Sequence, residues 1–466
     1  MVEYLISSLM QYGDREIFLS REGGDKGITS KQFMTDIQKS CSFWRHRMEG
    51  TGHHIGILAE NSYLWLVHCM GIVASGNIMV AFNPYFSEAD ILDYITRSDT
   101  EVMLYDGDME DYGECGQAVS FIKLSEAFYD GETERVLRDA DDVVLMYFSS
   151  GTSGKSKVVQ VTNKSVYLWG KHYRDSSLNA DESFLIPLPL YHVGGLFNSY
   201  DGLIIGNRLL ISSAKYIQQD IKRGDITRAV FVPAMLKMVL EQIRRGSITA
   251  EQIKSLTKVN CLGAVLPEKT SRQVEALGIR MQNGYGMTEF FRNVACTGAY
   301  REGTVGKTEP YAKIKIVDGE IVVRSETVMK GYYKDAEATA GILKDGWLYT
   351  GDMGQFDEDG YLYVQGRKKN IIILSNGENV NPEVLETKLY ECPLIMECRV
   401  YGSEDSIKAD IFTPRSEEAF EERKTIIENH IKIMNKNLLP MHRIRIFNIS
   451  ENELEKTASG KIKRGV

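Results

Sequence analysis

The chain has 466 residues, too long for one ordinary domain and long enough for two to four. Hydrophobic residues at 43% and charged residues at 26% are ordinary globular proportions, so a large buried core is available. A formal net charge of -9 argues against a nucleic-acid partner, which needs a basic face for its phosphates.

The N-terminus reaches Glu3 at once, without a signal-type apolar stretch, and no window offers the roughly 20 apolar residues that span a bilayer. Residues His54–Leu58 read as a buried strand, after which Asn61 or Ser62 caps a helix through Trp65, Val67 and Met70 that stops near Gly76. A second apolar run covers Ile78–Phe82. Ser87, with Asp90 three residues on, opens another helix in the manner of a capping box. Glu101–Tyr105 returns to strand. This alternation predicts a parallel sheet covered by helices. From Gly303 to Tyr363 the pattern becomes turn-bounded and strand-like, as in Glu320-Ile321-Val322-Val323 and Tyr361-Leu362-Tyr363-Val364, which predicts an antiparallel β unit. A basic stretch, Gly366-Arg367-Lys368-Lys369, precedes about 100 residues of small α+β character. The expected organisation is therefore α/β: a large N-terminal domain (1–368) of parallel sheets plus the β unit, and a small α+β C-terminal domain (369–466).

Seven cysteines run from Cys41 to Cys398, an odd number without a CxxC pair, so neither a disulfide framework nor a zinc site is expected. That usage fits a reducing cytoplasm. The eight histidines show no metal-ligand spacing. His53 and His54 are adjacent, and neighbours on a strand point to opposite faces.

The most informative segment follows the apolar strand at Val143. Ser149, Ser150, Gly151, Thr152, Ser153, Gly154, Lys155, Ser156 and Lys157 form a glycine- and hydroxyl-rich loop, which offers backbone N–H groups, hydroxyls and lysine charge to phosphate oxygens. A solvated turn is the plainer reading. The loop ends like a Walker loop, but the position that must be its first glycine is Ser149, so that pattern fails. Further along come Leu188-Pro189-Leu190-Tyr191-His192-Val193-Gly194-Gly195-Leu196, then Gly263-Ala264-Val265-Leu266-Pro267, then Asn283-Gly284-Tyr285-Gly286-Met287-Thr288-Glu289. Tyr349-Thr350-Gly351-Asp352, the basic stretch at Arg367, and Lys456-Thr457-Ala458-Ser459-Gly460-Lys461-Ile462-Lys463-Arg464 complete the series.

In this order the segments resemble those of the adenylate-forming superfamily, which holds acyl- and aryl-CoA ligases, peptide-synthetase adenylation domains and firefly luciferase. Resemblance covers nearly the whole chain and lies closest to the acyl- and aryl-CoA ligases. Departures are Ser153, Ser156 and Val158 in the phosphate loop, where the family has threonine, proline and glycine, and Glu455 in place of a proline. The resemblance implies activation of a carboxylic acid with ATP and Mg²⁺, then transfer of the acyl group to coenzyme A or to a carrier-protein phosphopantetheine. It implies that Lys461 bridges carboxylate and α-phosphate, Thr288 contacts that phosphate, Glu289 holds Mg²⁺, Tyr285 stacks on adenine, and Asp352 and Arg367 serve the ribose. The phosphate loop (Ser149 to Gly154, and Lys157), Gly263, Ala264, Asn283 and Gly284 complete the nucleotide site. Tyr191, His192, Gly194, Gly195, Leu196, Phe197, Asn198, Val265, Gly286 and Met287 fall to the acyl pocket. Lys369 is the expected hinge, and Asn376, Gly377 and Glu378 the loop that faces the thiol in a second domain pose. Taken one at a time, these residues have plainer readings: Lys461 as a solvated tail charge, Asp352 and Glu289 as surface or capping carboxylates, His192 as a structural residue. Amino-acid-activating relatives place an Asp where this chain has Asn198, and Asp201 is out of register with it, so an aryl or fatty acid is the expected substrate. A luciferase-like oxygenase and a non-catalytic binding module are the rival readings.

Overall fold

In a computed structural model, residues 1–21, 27–107, 115–149, 156–173, 180–374, 378–403, 406–416, 418–456 and 462–463 are described. Two large sheets and a smaller β unit make the body of the protein. The first sheet has seven strands. Five of them, Val143–Phe148, Ile78–Phe82, His54–Leu58, Val102–Tyr105 and Ser120–Lys123, run parallel in that spatial order. Val158–Thr162 and Gly331–Tyr332 extend it antiparallel beyond Val143–Phe148. The second sheet has nine strands. Its centre, Arg280–Gly286, Lys258–Leu262, Arg228–Phe231, Ser183–Ile186 and Arg208–Ile211, is parallel. Apolar and β-branched runs such as Val143–Leu145 are buried on both faces, as strands of a covered parallel sheet must be.

The helix signals hold in detail. Ser62 caps Tyr63–Ala74 by accepting from the Trp65 amide at 3.1 Å, and Gly76 leaves that helix at φ +90°. Asn61, the alternative cap, instead ties down a distant loop. Ser87 caps Glu88–Ser98 through the Asp90 amide at 3.2 Å. Asp90 does not complete a capping box: its carboxylate accepts the Ser87 hydroxyl at 2.6 Å.

The β unit is antiparallel as expected, with strands Ala312–Val317, Glu320–Ser325, Leu343–Lys344, Trp347–Phe356 and Leu362–Arg367. Its first hairpin turns on Asp318 and Gly319, at φ +50° and +77°, the two left-handed positions that match the twist of a tight hairpin. After Arg367 a separate core forms from Ile372, Val380, Leu385, Leu389, Val400, Ile411, Ile427 and Ile431. It lies between helices Pro382–Leu389 and Phe420–Lys436 and the three strands Glu397–Ser403, Ser406–Phe412 and Ile444–Ser450. All seven cysteines are free, and no helix among the described residues is long and apolar enough to cross a membrane.

Candidate active site

Three of the segments singled out in the sequence leave strands of the nine-stranded sheet. Strand Lys258–Leu262 delivers Gly263 and Ala264, strand Arg280–Gly286 delivers Met287 and Thr288, and strand Ser183–Ile186 leads into Leu188–His192. All three arrive at the carboxyl ends of parallel strands, where open α/β sheets bind ligands.

The glycine-rich loop joins two antiparallel strands, Val143–Phe148 and Val158–Thr162. A Walker loop runs from strand to helix, so the topology excludes a P-loop NTPase. The loop's base is pinned: the Ser149 amide donates to the Lys157 carbonyl at 2.8 Å, and the Lys157 amide to Ser149 Oγ at 3.0 Å. Ser150, Gly151, Thr152, Ser153 and Gly154 lie outside the described residues. Lys157 Nζ sits 4.7 Å from the centre of the Tyr332 ring, a cation–π contact. Tyr332 in turn donates its hydroxyl to Glu289 Oε1 at 2.8 Å. Burial, and then the Glu289 charge, push the Tyr332 phenol well above its ordinary value, so it remains a donor. Glu289 itself is buried. The sequence gives no sign of Tyr332, which arrives from the β-unit side of the sheet by tertiary pairing.

A second buried carboxylate stands beside Tyr285, near the carboxyl end of the strand Arg280–Gly286. Asp352 accepts the Tyr285 hydroxyl at 2.6 Å and pairs with Arg367 Nε at 2.7 Å. Burial foremost raises the Tyr285 phenol. Glu320, not foreseen either, braces this corner: it accepts the Gly351 amide at 2.9 Å and the Lys368 ammonium at 3.0 Å. Asn283 donates to the Thr304 carbonyl at 2.9 Å, while its Oδ1 is buried without a hydrogen-bond partner. That orphan acceptor fits a donor such as the amino group of a purine. Gly284 and Gly286 are required by contact. A Cβ on the first would meet Asn293 Nδ2 at 2.4 Å, and on the second the Arg292 carbonyl at 2.7 Å.

On the acyl side, Asn61 clamps the loop before His192: it donates to the Leu188 and Ser212 carbonyls, each at 2.7 Å, and accepts the Leu190 amide at 2.7 Å. His192 is the N-cap residue of helix Val193–Ile205, with its ring tilted against Tyr191 at 4.9 Å. Gly194, Gly195, Leu196, Phe197 and Asn198 are buried along that helix. Val265 departs from expectation: it is 44% exposed at the rim, because the chain turns outward at Gly263 with φ +88°. Asp201, out of register with the acidic position of the amino-acid-activating relatives, is paired with Arg292 at 2.7 Å. Lys461, Asn376 and Gly377 lie outside the described residues. Glu378 pairs with His442 Nε2 at 3.5 Å, and Lys369 is exposed after the last β-unit strand.

The donor set suits Mg²⁺. That ion takes one or two carboxylates and completes its octahedron with water and substrate phosphates. Glu289 is a buried carboxylate beside Lys157 and Tyr332, and no cluster of three or more ligating side chains exists among the described residues.

Comparison with known proteins identifies the family. Residues 7–333 match the AMP-binding enzymes, and residues 369–466 match the AMP-binding enzyme C-terminal domain. Indoleacetate–CoA ligase of Aromatoleum aromaticum is 31% identical over 345 residues, 69% of this chain and 66% of that protein's own length. A 2-succinylbenzoate–CoA ligase of Bacillus cereus is 26% identical over 408 residues, 82% of this chain and 81% of the relative. O-succinylbenzoate coenzyme A synthetase from Bacillus subtilis, solved with AMP, superimposes with a TM-score of 0.85 at 23% identity, over 99% of this chain and 97% of that one. An anthranilate CoA ligase solved with anthranoyl-AMP gives 0.87 at 21% identity, over 99% and 95%. The chain therefore belongs to the AMP-binding enzymes of the adenylate-forming superfamily.

Proposed function

We propose that this enzyme activates an aryl or fatty carboxylic acid as its acyl-adenylate and passes the acyl group to coenzyme A. The carrying observation is the pair of buried carboxylates on either side of Tyr285–Thr288: Asp352 with Arg367 at one end, Glu289 with Tyr332 and Lys157 at the other. The first corner would take the ribose end of a nucleotide and the second its phosphate end. Asp352 is an acceptor-only group suited to ribose hydroxyls, and Asn283 Oδ1 is suited to the adenine amine.

Carboxylate and triphosphate are both anionic, so catalysis is mainly alignment and charge neutralisation. The acid's oxygen attacks the α-phosphorus, the bond to pyrophosphate breaks, and pyrophosphate leaves. Lys157 and the loop's N–H groups receive the phosphates, Thr288 the α-phosphate, and Lys461 bridges it to the carboxylate. Glu289 would hold Mg²⁺, which would supply further charge neutralisation worth on the order of several kcal/mol. In the second step the thiol attacks the acyl carbon and AMP departs. The Asn376–Glu378 loop faces that step after the C-terminal domain, bounded at the Lys369 hinge, has turned.

Coenzyme A is preferred over a carrier-protein thiol because the relatives are CoA ligases by name. The free cysteines fit a cytoplasmic enzyme. Pyrophosphate release is to be followed over aryl, short-chain, long-chain and amino acids with ATP and Mg²⁺, with and without coenzyme A. Turnover that requires one class of carboxylic acid and coenzyme A is expected. Adenylate formation that ignores coenzyme A points to a carrier protein, and a silent panel overturns the reading in favour of a binding module.

A further inference from the structure

Helix Glu88–Ser98, capped by Ser87, reaches both ends of the glycine-rich loop. The Tyr94 ring stacks on Phe148, the last residue of the strand that enters the loop, with ring centres 4.3 Å apart and planes 26° from parallel. Its hydroxyl donates to Ser156 Oγ at 3.1 Å, where the chain comes out of the loop. One turn on, Arg97 donates from Nη2 to the Ser156 carbonyl and from Nη1 to Asp93 Oδ2 at 3.2 Å. Tyr94 is buried and Ser156 half-buried. The helix is itself tied down at its far end. Asp99, which closes it at φ +48°, accepts the Tyr333 hydroxyl at 2.7 Å and pairs with Lys334 at 2.5 Å. Tyr333 follows Tyr332, the partner of Glu289 and Lys157. Arg97 and Lys157 also line one cavity of about 270 Å³.

Ser156 stands where the superfamily has proline. Proline fixes φ and so removes conformations that the chain must otherwise give up; serine does neither. Here that freedom is taken up by two bonds to Ser156 itself, one to its hydroxyl and a charge-assisted one to its carbonyl. Ser149 holds the next residue, Lys157, by two further bonds at 2.8 and 3.0 Å. Attack on a phosphate depends mainly on alignment, and a misplacement of about 1 Å costs about a hundredfold. We propose that Tyr94 and Arg97 are positioning residues for the phosphate loop. They act through Ser156, hold Lys157 where the β- and γ-phosphates of ATP arrive, and touch no substrate atom themselves. This rests on the proposed acyl-adenylating function and adds two residues to its machinery.

The test uses the full chain. Equilibrium affinities for ATP with Mg²⁺ and for AMP are measured, together with KM for ATP and kcat in pyrophosphate exchange. AMP carries only the phosphate assigned to Thr288, so it reports the rest of the nucleotide site. Tyr94→Phe and Ser156→Ala should each weaken ATP about threefold to tenfold, and Arg97→Gln about tenfold, with AMP within about twofold of wild type. The double variant Tyr94→Phe/Ser156→Ala should be no worse than either change alone, because both remove the same bond. Ser156→Pro removes that acceptor as well, so Tyr94→Phe should have no further effect on it. A folded Tyr94→Phe protein with unchanged ATP affinity overturns the proposal. So do equal losses for ATP and AMP, additive effects in the double variant, and an effect confined to Arg97→Gln, which would make Arg97 a direct phosphate ligand. Should Tyr94→Phe unfold, Ser156→Ala decides by the same ratio of ATP to AMP affinity. If ATP weakens as expected while no acid supports exchange, the adenylation reading fails and the brace on the loop stands.

Discussion

Asp352 shows how much one side chain holds together. It is the shared acceptor of the Tyr285 phenol and the Arg367 guanidinium, at 2.6 and 2.7 Å. Asparagine has the same shape but cannot balance the arginine or accept at both oxygens. Hydrogen bonds to charged groups contribute about 1.5–3 kcal/mol, so Asp352→Asn should raise KM for ATP roughly tenfold to a hundredfold. The melting temperature checks that the fold survives; an unchanged KM removes Asp352 from the ribose role. Asp352 was legible in the sequence through its Thr-Gly-Asp company. Tyr332 and Glu320 were not, because each meets its partner across more than 30 residues of chain, Tyr332 to Glu289 and Glu320 to Gly351.

At the scale of elements, close approach is set by small residues and buried polar ones. Gly195 lies in the first turn of helix Val193–Ile205, which carries residues of the proposed acyl pocket, and a Cβ there would lie 2.2 Å from the Pro189 carbonyl oxygen. Backbone cannot yield as a side chain end can. Gly195→Ala should therefore cost about 1–3 kcal/mol or more by overpacking, measured as a lower urea midpoint together with a weakened affinity for the acid. A second case joins helices Ser30–Arg47 and Tyr63–Ala74. His68 Nδ1 meets Ser40 Oγ at 2.8 Å, and Nε2 meets the Leu124 carbonyl at 2.8 Å. Burial lowers the His68 pKa to about 4 from 6.5. The unfolded chain thus takes up the proton first as pH falls. Stability from this site is full above pH 6.5 and is lost progressively down to pH 4, by about 2 kcal/mol at pH 5 and on the order of 3 kcal/mol in all. Urea unfolding of wild type and His68→Gln across that window should converge as the pH drops; parallel curves exclude His68 as the cause.

In the whole molecule the C-terminal unit keeps its own apolar core and meets the rest through few polar contacts. Lys237 donates to the Ile395 carbonyl and lies 5.5 Å from the Tyr390 ring, and Lys269 donates to the Glu391 carbonyl at 2.9 Å. Asn381 donates to the Gln365 carbonyl beside the last β-unit strand. Such an interface is easily exchanged for another, as a domain that completes one catalytic set at a time requires. Lys369→Pro fixes φ at the proposed hinge. Adenylate formation should survive and thioester formation should fall at least tenfold, read separately by pyrophosphate exchange and by single-turnover transfer to coenzyme A. Equal losses in both steps exclude the hinge role.

The sequence by itself determined the alternation of strands and helices, the cap at Ser87, the choice of Asn61 or Ser62 for the other cap, the antiparallel character of the β unit, and the family's run of segments. These are local matters: side-chain period, capping chemistry and turn chemistry act within a few residues. Only the tertiary structure decided that the glycine-rich loop joins two antiparallel strands, that Asn61 clamps a loop more than 120 residues away instead of capping a helix, that Val265 stands at the rim, and that Asp201 is held by Arg292. Each of those depends on which partner a polar group finds once it leaves water. A buried donor, acceptor or charge must be matched wherever the fold supplies the match, and distance along the chain has no bearing on that choice.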